Sequence, residues 1–167
     1  MIHFITGGER SGKSGYAQKT ALLLSDNPVY VATARKWDAD FEKRIQRHQA
    51  ERTENWTNLE TEKYISQLNL TNQTIVLDCV TLWLTNFYAD NKYDLNKSLT
   101  EAKAEFECFS VQANNWIIIS NEIGMGVHAD TAIARKFVEL QGWTNQYIAE
   151  KAATVTLMVS GIPLKIK

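Results

Sequence analysis

Cysteine is scarce in this chain, and so are the features that would place it outside the cell, in a membrane or on a nucleic acid. The two cysteines, Cys79 and Cys108, are too few for a disulfide framework and point to a reducing compartment. The longest apolar runs are interrupted by Asp78 or by Ser160-Gly161, far short of the roughly 20 residues of a transmembrane helix. A formal net charge of −1 argues against a basic nucleic-acid-binding surface. The N-terminus lacks the basic segment and cleavage site of a signal peptide, so we expect a cytoplasmic protein with no membrane span and no nucleic-acid partner.

The pattern along the chain predicts one α/β domain over residues 1–167. The 167 residues are 44% hydrophobic and 22% charged, as in an ordinary globular domain. Short β-branched runs alternate with longer helical patterns, which indicates a mostly parallel sheet flanked by helices. Such sheets bind ligands at the carboxyl ends of their strands. Strands are predicted at about 2–6, 29–33, 74–78, 116–120 and 154–159, and helices at about 13–25, 39–52, 60–68, 96–113 and 130–152.

The first predicted strand leads into a match, without exception, to the phosphate-binding pattern G-x-x-x-x-G-K-[ST]. Glycines let backbone N–H groups close around phosphate oxygens, and the N-terminus of the following helix adds partial positive charge. Lys13 can reach the β- and γ-phosphates, and the Ser14 hydroxyl can ligate Mg²⁺. A glycine-rich turn with a chance lysine is the simpler alternative, but pattern and strand–helix context agree. The sequence predicts that a nucleoside triphosphate binds Gly7-Gly8-Glu9-Arg10-Ser11-Gly12-Lys13-Ser14.

The strand predicted at 74–78 ends in an acidic residue, Asp78. A carboxylate there can hold Mg²⁺, directly or through water, opposite Ser14. The alternative is that Asp78 caps a helix beginning near Thr81. With a phosphate loop in the same chain, we favour a nucleotide or metal ligand.

A loop with two glycines follows the strand predicted at 116–120, in the sequence Asn121-Glu122-Ile123-Gly124-Met125-Gly126. Glu122 is a candidate general base for a substrate hydroxyl, or a group that supports the site. A simple turn whose glycines supply positive φ explains the same residues. Both interpretations stay open.

The helix predicted over 39–52 carries Arg44, His48 and Arg52 along one side. Cationic neighbours favour a neutral and hence nucleophilic imidazole, and arginines can hold phosphates. The spacing alone favours a simpler interpretation, a surface helix with solvated charges.

Several segments together carry a resemblance that covers essentially the whole chain, in order. They include Thr6 to Ser14, Tyr30-Val31-Ala32-Thr33-Ala34, Arg44-Ile45-x-x-His48-x-x-x-Arg52-x-x-x-Trp56, Asp78-Cys79-Val80-Thr81-x-Trp83-x-x-Asn86, Ser120 to Gly126 and the tail Val159 to Lys167. The phosphate loop is common to many families, whereas the Arg-Ile-x-x-His and Asn-Glu-Ile-Gly-Met-Gly segments are far more specific. The chain resembles the bifunctional adenosylcobinamide kinase / adenosylcobinamide-phosphate guanylyltransferases.

The resemblance implies a RecA-like P-loop fold, a homotrimer and two consecutive reactions. ATP or GTP first phosphorylates the hydroxyl of the aminopropanol arm of adenosylcobinamide. GTP then transfers GMP to the new phosphate of adenosylcobinamide phosphate, giving adenosylcobinamide-GDP and pyrophosphate. His48 matches the histidine that is guanylylated in the family, which replaces the surface-helix interpretation. The nucleotide contacts of the family map onto Gly7, Gly8, Glu9, Arg10, Ser11, Gly12, Lys13, Ser14, Ala32, Thr33, Ala34, Gln49, Ala50, Glu51, Arg52, Glu60 and Asp78.

Two other classes of protein fit part of this pattern. A single-function P-loop small-molecule kinase would use Lys13, Ser14 and Asp78 without a covalent intermediate. A regulatory nucleotide-binding module would hydrolyse its nucleotide slowly and act through partners.

Overall fold

A seven-stranded sheet lies at the centre of the structure, a computed structural model that describes residues 1–35 and 55–167. The strands are β1 (Ile2–Gly7), β2 (Val29–Ala32), β3 (Thr57–Glu60), β4 (Thr74–Asp78), β5 (Asn115–Ile119), β6 (Thr154–Val159) and β7 (Ile162–Lys165). They lie in the order β3-β2-β4-β5-β1-β6-β7. Neighbouring strands are parallel, except that β6 and β7 form an antiparallel hairpin.

Helices cover both faces of the sheet. They are α1 (Lys13–Leu24), α2 (Val80–Asp90), α3 (Leu95–Ser110) and α4 (Ala132–Lys151), with a short 3-10 helix at Ile65–Leu68. Asp94 and Thr131 cap α3 and α4, accepting hydrogen bonds from the N–H groups of Lys97 and Ala134 at 2.9 and 3.1 Å, which fixes where these helices begin. In the described part of the chain, no helix has the length and apolarity needed to cross a bilayer.

Alternate side chains of the central strands enter two separate cores. Phe4 and Leu77 pack with α2, α3 and α4, whereas Ile5 and Val76 pack with α1. Because both faces of these strands are covered, their sequences are continuous apolar runs and do not alternate with polar residues. The α/β architecture with a mostly parallel sheet is therefore confirmed, as are all five predicted strands and the helices predicted at 13–25, 96–113 and 130–152, within a few residues at their ends.

The helix predicted over 60–68 is wrong. Glu60 instead ends β3, which pairs with β2 from Thr57↔Val29 to Ala32↔Glu60. Of the β3 side chains only Leu59 packs against the core, so the strand has no alternating apolar pattern and depends on pairing with β2. Within this range only Ile65–Leu68 is helical, as a 3-10 helix that ends where Asn69 adopts φ 50°.

Two further elements were not among the predicted strands and helices. Strand β7 returns along β6 through the two-residue turn Ser160-Gly161, whose φ angles of 49° and 84° suit a tight hairpin. Helix α2 begins at Val80 and was anticipated only in the alternative interpretation of Asp78. The predicted helix 39–52 lies outside the described residues.

Candidate nucleotide site

The carboxyl ends of the central strands bring four predicted segments to one edge of the sheet. Strands β2, β4, β5 and β1 are parallel neighbours, so the segments that follow them lie side by side. The phosphate loop follows β1, Thr33-Ala34 follows β2, Asp78 ends β4 and Asn121-Glu122 follows β5. This edge is where parallel α/β sheets bind ligands.

The conformation of the phosphate loop requires glycine at two positions. At Gly7, with φ 154°, an added Cβ would lie 2.6 Å from the Met158 carbonyl oxygen. Gly12 has φ 93° immediately before α1, a left-handed conformation that disfavours other residues. The turn of the β6–β7 hairpin supports the loop, because Gly161 N–H donates to the Ser11 carbonyl at 3.0 Å. The loop thus leads into the N-terminus of α1, where unpaired N–H groups can receive an anion; Gly8, Glu9 and Arg10 are exposed at its tip.

Lys13 is buried inside the loop that it is predicted to serve, with 8% of its surface exposed. Its Nζ donates to the Gly8 carbonyl at 2.6 Å and to the Ser11 hydroxyl at 3.5 Å. Burial lowers the pKa of the Lys13 ammonium, and the nearby Glu9 and Asp78 carboxylates oppose that shift. Among the described residues, the hydrogen-bond partners of this desolvated ammonium are neutral, so an anion such as a triphosphate would bind it favourably.

Asp78, the last residue of β4, faces the start of α1. Its Oδ2 accepts a hydrogen bond from the Ser14 hydroxyl at 3.0 Å and another from the Tyr30 hydroxyl. Cys79, not Asp78, occupies the N-cap position of α2, and no side chain caps that helix. The structure therefore does not use the Asp78 carboxylate as the helix cap of the alternative interpretation. A hydroxyl and a carboxylate in contact form the kind of oxygen pair that Mg²⁺ prefers.

Thr33 fastens the end of β2 to the end of β4. Its N–H donates to the Asp78 carbonyl at 3.0 Å, and its hydroxyl contacts both the carbonyl and the N–H of Cys79 at 2.8 and 3.0 Å. Asn86 of α2 donates to the Thr33 carbonyl at 2.8 Å. Burial, followed by the charge of Asp78, raises the pKa of the Cys79 thiol to about 12. Cys79 is thus a neutral packing residue rather than a nucleophile.

Three other residues predicted to contact the nucleotide, Ala32, Ala34 and Glu60, lie at or just after the ends of β2 and β3, which form the rim of the site. Ala32 pairs in register with Glu60 across β2 and β3, and Thr61 N–H extends the ladder to the Ala32 carbonyl at 3.0 Å. Ala34 is half-buried and Glu60 is exposed. Sequence reasoning assigned Glu60 to the start of a helix, whereas a strand end is what brings it level with Ala32.

The charged residues beyond β2 form a network at the same rim. Arg35 contacts Glu62 at 2.6 Å and forms a bidentate pair with Asp90. Lys63 contacts Asp90 at 2.6 Å. Arg35 holds the pKa of the Asp90 carboxyl well below its usual range, and Lys63 adds to the shift.

The predicted residues at 36–54 lie outside the described part of the chain. They include the proposed nucleophile and its arginines: Arg44, Arg47, His48, Gln49, Ala50, Glu51 and Arg52. The described residues on either side are Arg35 and Asn55, next to Trp56. The ring of Trp56 packs edge-on against Tyr30, with centroids 6.0 Å apart.

Sequence reasoning missed the role of Tyr30. The sequence pattern gives this residue no role beyond membership of the Tyr-Val-Ala-Thr-Ala segment, but its hydroxyl contacts the Asp78 carboxylate. The one available signal was a buried phenol in an otherwise apolar strand, because a buried Tyr O–H usually has a partner. The identity of that partner depends on β2 lying beside β4, which the sequence did not specify.

The glycine loop, the buried lysine and the Ser14–Asp78 pair define the class: this is a P-loop nucleotide-binding protein. A prototypical ATPase from the type III secretion system of pathogenic bacteria is similar in structure over 93% of this chain and 50% of that chain, with a TM-score of 0.55 and 8% sequence identity. That likeness concerns the fold alone, which is the RecA-like P-loop fold expected above.

The model of the family described as cobinamide kinase / cobinamide phosphate guanyltransferase matches residues 3–166, and the chain belongs to that family. The bifunctional adenosylcobalamin biosynthesis protein CobP of Pseudomonas aeruginosa is 35% identical over 172 residues, covering 100% of this chain and 98% of that protein. The bifunctional adenosylcobalamin biosynthesis protein CobU of Escherichia coli is 32% identical over 183 residues, covering 100% of both. The resemblance inferred from the motifs is thus confirmed.

Proposed function

We propose that this protein phosphorylates adenosylcobinamide with ATP or GTP and then transfers GMP from GTP to adenosylcobinamide phosphate through a guanylylated histidine. The observation that carries the proposal is a P-loop site built from Lys13, Ser14 and Asp78 in a chain that the family model matches from residue 3 to residue 166. Two relatives that align with the full length of the chain are named as bifunctional.

The kinase step needs the triphosphate to be held with its γ-phosphoryl group exposed to the acceptor. The N-terminus of α1 and the Lys13 ammonium receive the β- and γ-phosphates, where charge develops as the terminal P–O bond breaks. Lys13 is already desolvated, so little reorganisation is required when the phosphates arrive. We propose that the nucleotide is held by the phosphate loop Gly7 to Ser14, Ala32 to Ala34, Gln49 to Arg52, Glu60 and Asp78.

Mg²⁺ is the metal that fits these residues. Ser14 and Asp78 offer hard oxygen atoms already in contact at 3.0 Å, and Mg²⁺ sites commonly combine one or two carboxylates with substrate phosphates. Bound there, the ion would neutralise developing phosphate charge. The Tyr30 hydroxyl donates to Asp78 Oδ2, as the Ser14 hydroxyl does, and so orients the Asp78 carboxylate toward the proposed metal position.

The guanylyl-transfer step needs a nucleophile, and His48 is the residue that the family resemblance assigns. A neutral imidazole attacks the α-phosphorus of GTP, the bond to the β-phosphate oxygen breaks, and pyrophosphate leaves. A phosphate oxygen of the acceptor then attacks the same phosphorus and releases the imidazole. Arg44, Arg47 and Arg52 are the cations of that segment that balance phosphate charge.

We further infer that residues 1–167 act as one catalytic domain, in the cytoplasm and as a homotrimer. Support for self-association comes from the β6–β7 hairpin and the tail after it, where Val159, Ile162, Leu164 and Ile166 are between 52% and 69% exposed. Contiguous exposed apolar side chains on an edge strand are typical of an interface.

Protein labelling with GTP tests the proposed nucleophile. After incubation with GTP and Mg²⁺, label in the α-phosphate or the base should remain on the protein, while γ-phosphate label should not. The adduct should be stable in base and labile in acid, as expected of a phosphoramidate. His48→Ala should lose the label and the transfer of GMP to adenosylcobinamide phosphate, yet it should retain phosphorylation of adenosylcobinamide, because direct γ-phosphoryl transfer needs no protein nucleophile.

His128→Ala is the matched control, since His128 is an exposed loop residue and should label like the wild type. Undiminished labelling of His48→Ala would identify another residue as the nucleophile. Kinase turnover without any label, pyrophosphate release or GMP transfer would favour the single-function kinase.

A further inference from the structure

Glu122 lies between the phosphate loop and the proposed metal ligand. Strand β5 runs between β1 and β4, and Ile119 is level with Ile5 on one side and with Asp78 on the other. Just beyond it, Glu122 N–H donates to the Gly7 carbonyl at 2.9 Å, and Asn121 N–H contacts the Thr81 hydroxyl at 3.2 Å. The backbone of this dipeptide is therefore tied both to the phosphate loop and to the start of α2.

A buried polar network fixes the strand end that carries Glu122. The Ser120 hydroxyl donates to the Asn145 side-chain oxygen at 2.6 Å and accepts from the Gln141 amide at 2.8 Å. Asn145 in turn donates to the Asn121 carbonyl at 3.2 Å. Ser120, Gln141 and Asn145 are almost fully buried. Buried hydrogen bonds are strong because the local dielectric is low, so these bonds tie α4 to the end of β5. Helix α4 thus positions the residue before Glu122 as well as the strand end.

The carboxylate of Glu122 has fewer interactions than the carboxylates of Asp78 and Glu62. Asp78 Oδ2 accepts from Ser14 and Tyr30, and Glu62 is paired with Arg35. Glu122 is half-exposed, and among the described residues its carboxylate accepts one long hydrogen bond, at Oε1 from Gly124 N–H at 3.3 Å. Within residues 1–35 and 55–167 it has no ion-pair partner.

We propose that Glu122 is the general base of the kinase step, accepting the proton of the adenosylcobinamide hydroxyl. As the hydroxyl oxygen bonds to the γ-phosphorus, the bond between that phosphorus and the β-phosphate oxygen breaks and the nucleoside diphosphate leaves. The hydroxyl proton passes to a Glu122 oxygen and from there to water. This role deepens the proposed function and rests on it. The base is needed only in the kinase step, because the acceptor in GMP transfer is a phosphate oxygen that is already ionised.

The test is Glu122→Gln, with three measurements on one preparation: phosphorylation of adenosylcobinamide, labelling of the protein by GTP, and GMP transfer to preformed adenosylcobinamide phosphate. Glutamine keeps the side-chain oxygen that accepts from Gly124 N–H but cannot take up a proton at neutral pH. Kinase kcat should fall about 100-fold or more, the usual range for loss of a general base. Labelling and GMP transfer should stay within about threefold of wild type. Glu139→Gln, an exposed carboxylate on α4, is the matched control and should match wild type in all three.

A Glu122→Gln enzyme with kinase kcat within about threefold of wild type overturns the role. An equal loss in all three reactions also overturns it, since the residue would then be supporting the shared nucleotide site. If the wild-type protein itself does not phosphorylate adenosylcobinamide, the proposed function fails, and this role fails with it.

Discussion

The central strands and the edge strands of this sheet are stabilised in different ways. Strands β1 and β4 are covered on both faces, and Ile5, Val76 and Leu77 are at most 2% exposed. Strand β7 is exposed along its whole length, and β3 packs against the core only through Leu59. The central strands are held by burial from both sides, whereas the edge strands depend on hydrogen bonds to one neighbour.

The two kinds of strand also carry different parts of the site: the central strands carry the groups for phosphate chemistry, and the outer strands carry contacts at its rim. The centre of the sheet fixes the phosphate loop, Lys13 and Asp78 against a rigid support, which suits groups that must keep their geometry as charge develops. Glu60 lies on the outer strand β3, and the Arg35–Asp90 network lies at the rim of the site. Water and salt screen the interactions of these groups. Substitutions at the centre should therefore affect activity strongly, and substitutions at the edge should have small effects on stability.

The largest expected effect comes from Lys13→Ala. Both reactions handle a triphosphate, so both should lose about 100-fold or more in rate when this ammonium is removed. The fold should be retained, because Lys13 is a desolvated charge without an ion-pair partner in the described part of the chain and its removal relieves a desolvation cost. Activity assays together with urea unfolding separate the two quantities. Kinase turnover near the wild-type value would overturn the phosphate-loop assignment.

An intermediate effect is expected from Tyr30→Phe, which removes one donor to Asp78 Oδ2 and keeps the ring packed against Trp56. Groups that orient a metal ligand typically change metal affinity by about 10-fold. Binding of Mn²⁺, measured by electron paramagnetic resonance with a non-hydrolysable GTP analogue, should weaken by about that factor. Asp78→Asn should weaken it further.

Tyr64→Phe is the control for this experiment, because Tyr64 is a half-exposed tyrosine whose ring contacts Phe87. It should bind Mn²⁺ like the wild type. If Asp78→Asn left the metal requirement unchanged, the proposed metal site would be wrong.

The central site was readable from the sequence because its signals are local. Gly7 to Ser14 is one contiguous motif, and Asp78 ends a strand recognisable by its own apolar residues. The contact between Tyr30 and Asp78 joins positions 48 residues apart and depends on β2 lying beside β4. No periodicity in either segment carries that information.

The edge strands were missed for a related physical reason. Hydrophobic patterns report burial, and Thr57 to Glu60 bury little, so pairing with β2 prevailed over the local preference of that segment. The turn at Ser160-Gly161 did carry a sequence signal, since a Ser-Gly dipeptide favours tight turns. The family resemblance supplied what local physics did not, the role assigned to His48.

The smallest expected effect comes from Asp90→Asn beside the edge of the sheet. The pKa of Asp90 is lowered by Arg35 and Lys63, so its ion pairs stabilise the fold above the ordinary Asp pKa of about 3.9, and that contribution is lost as the pH falls through the lower folded-state value. The Asp90 side chain is 34% exposed, which limits the contribution to about 1 kcal/mol or less. Urea unfolding at pH 7 should therefore find Asp90→Asn slightly less stable than wild type, and the difference should shrink in acid as Asp90 becomes protonated and resembles asparagine. A difference that stays constant from pH 7 into acid would mean that packing, not charge, explains the effect of the substitution.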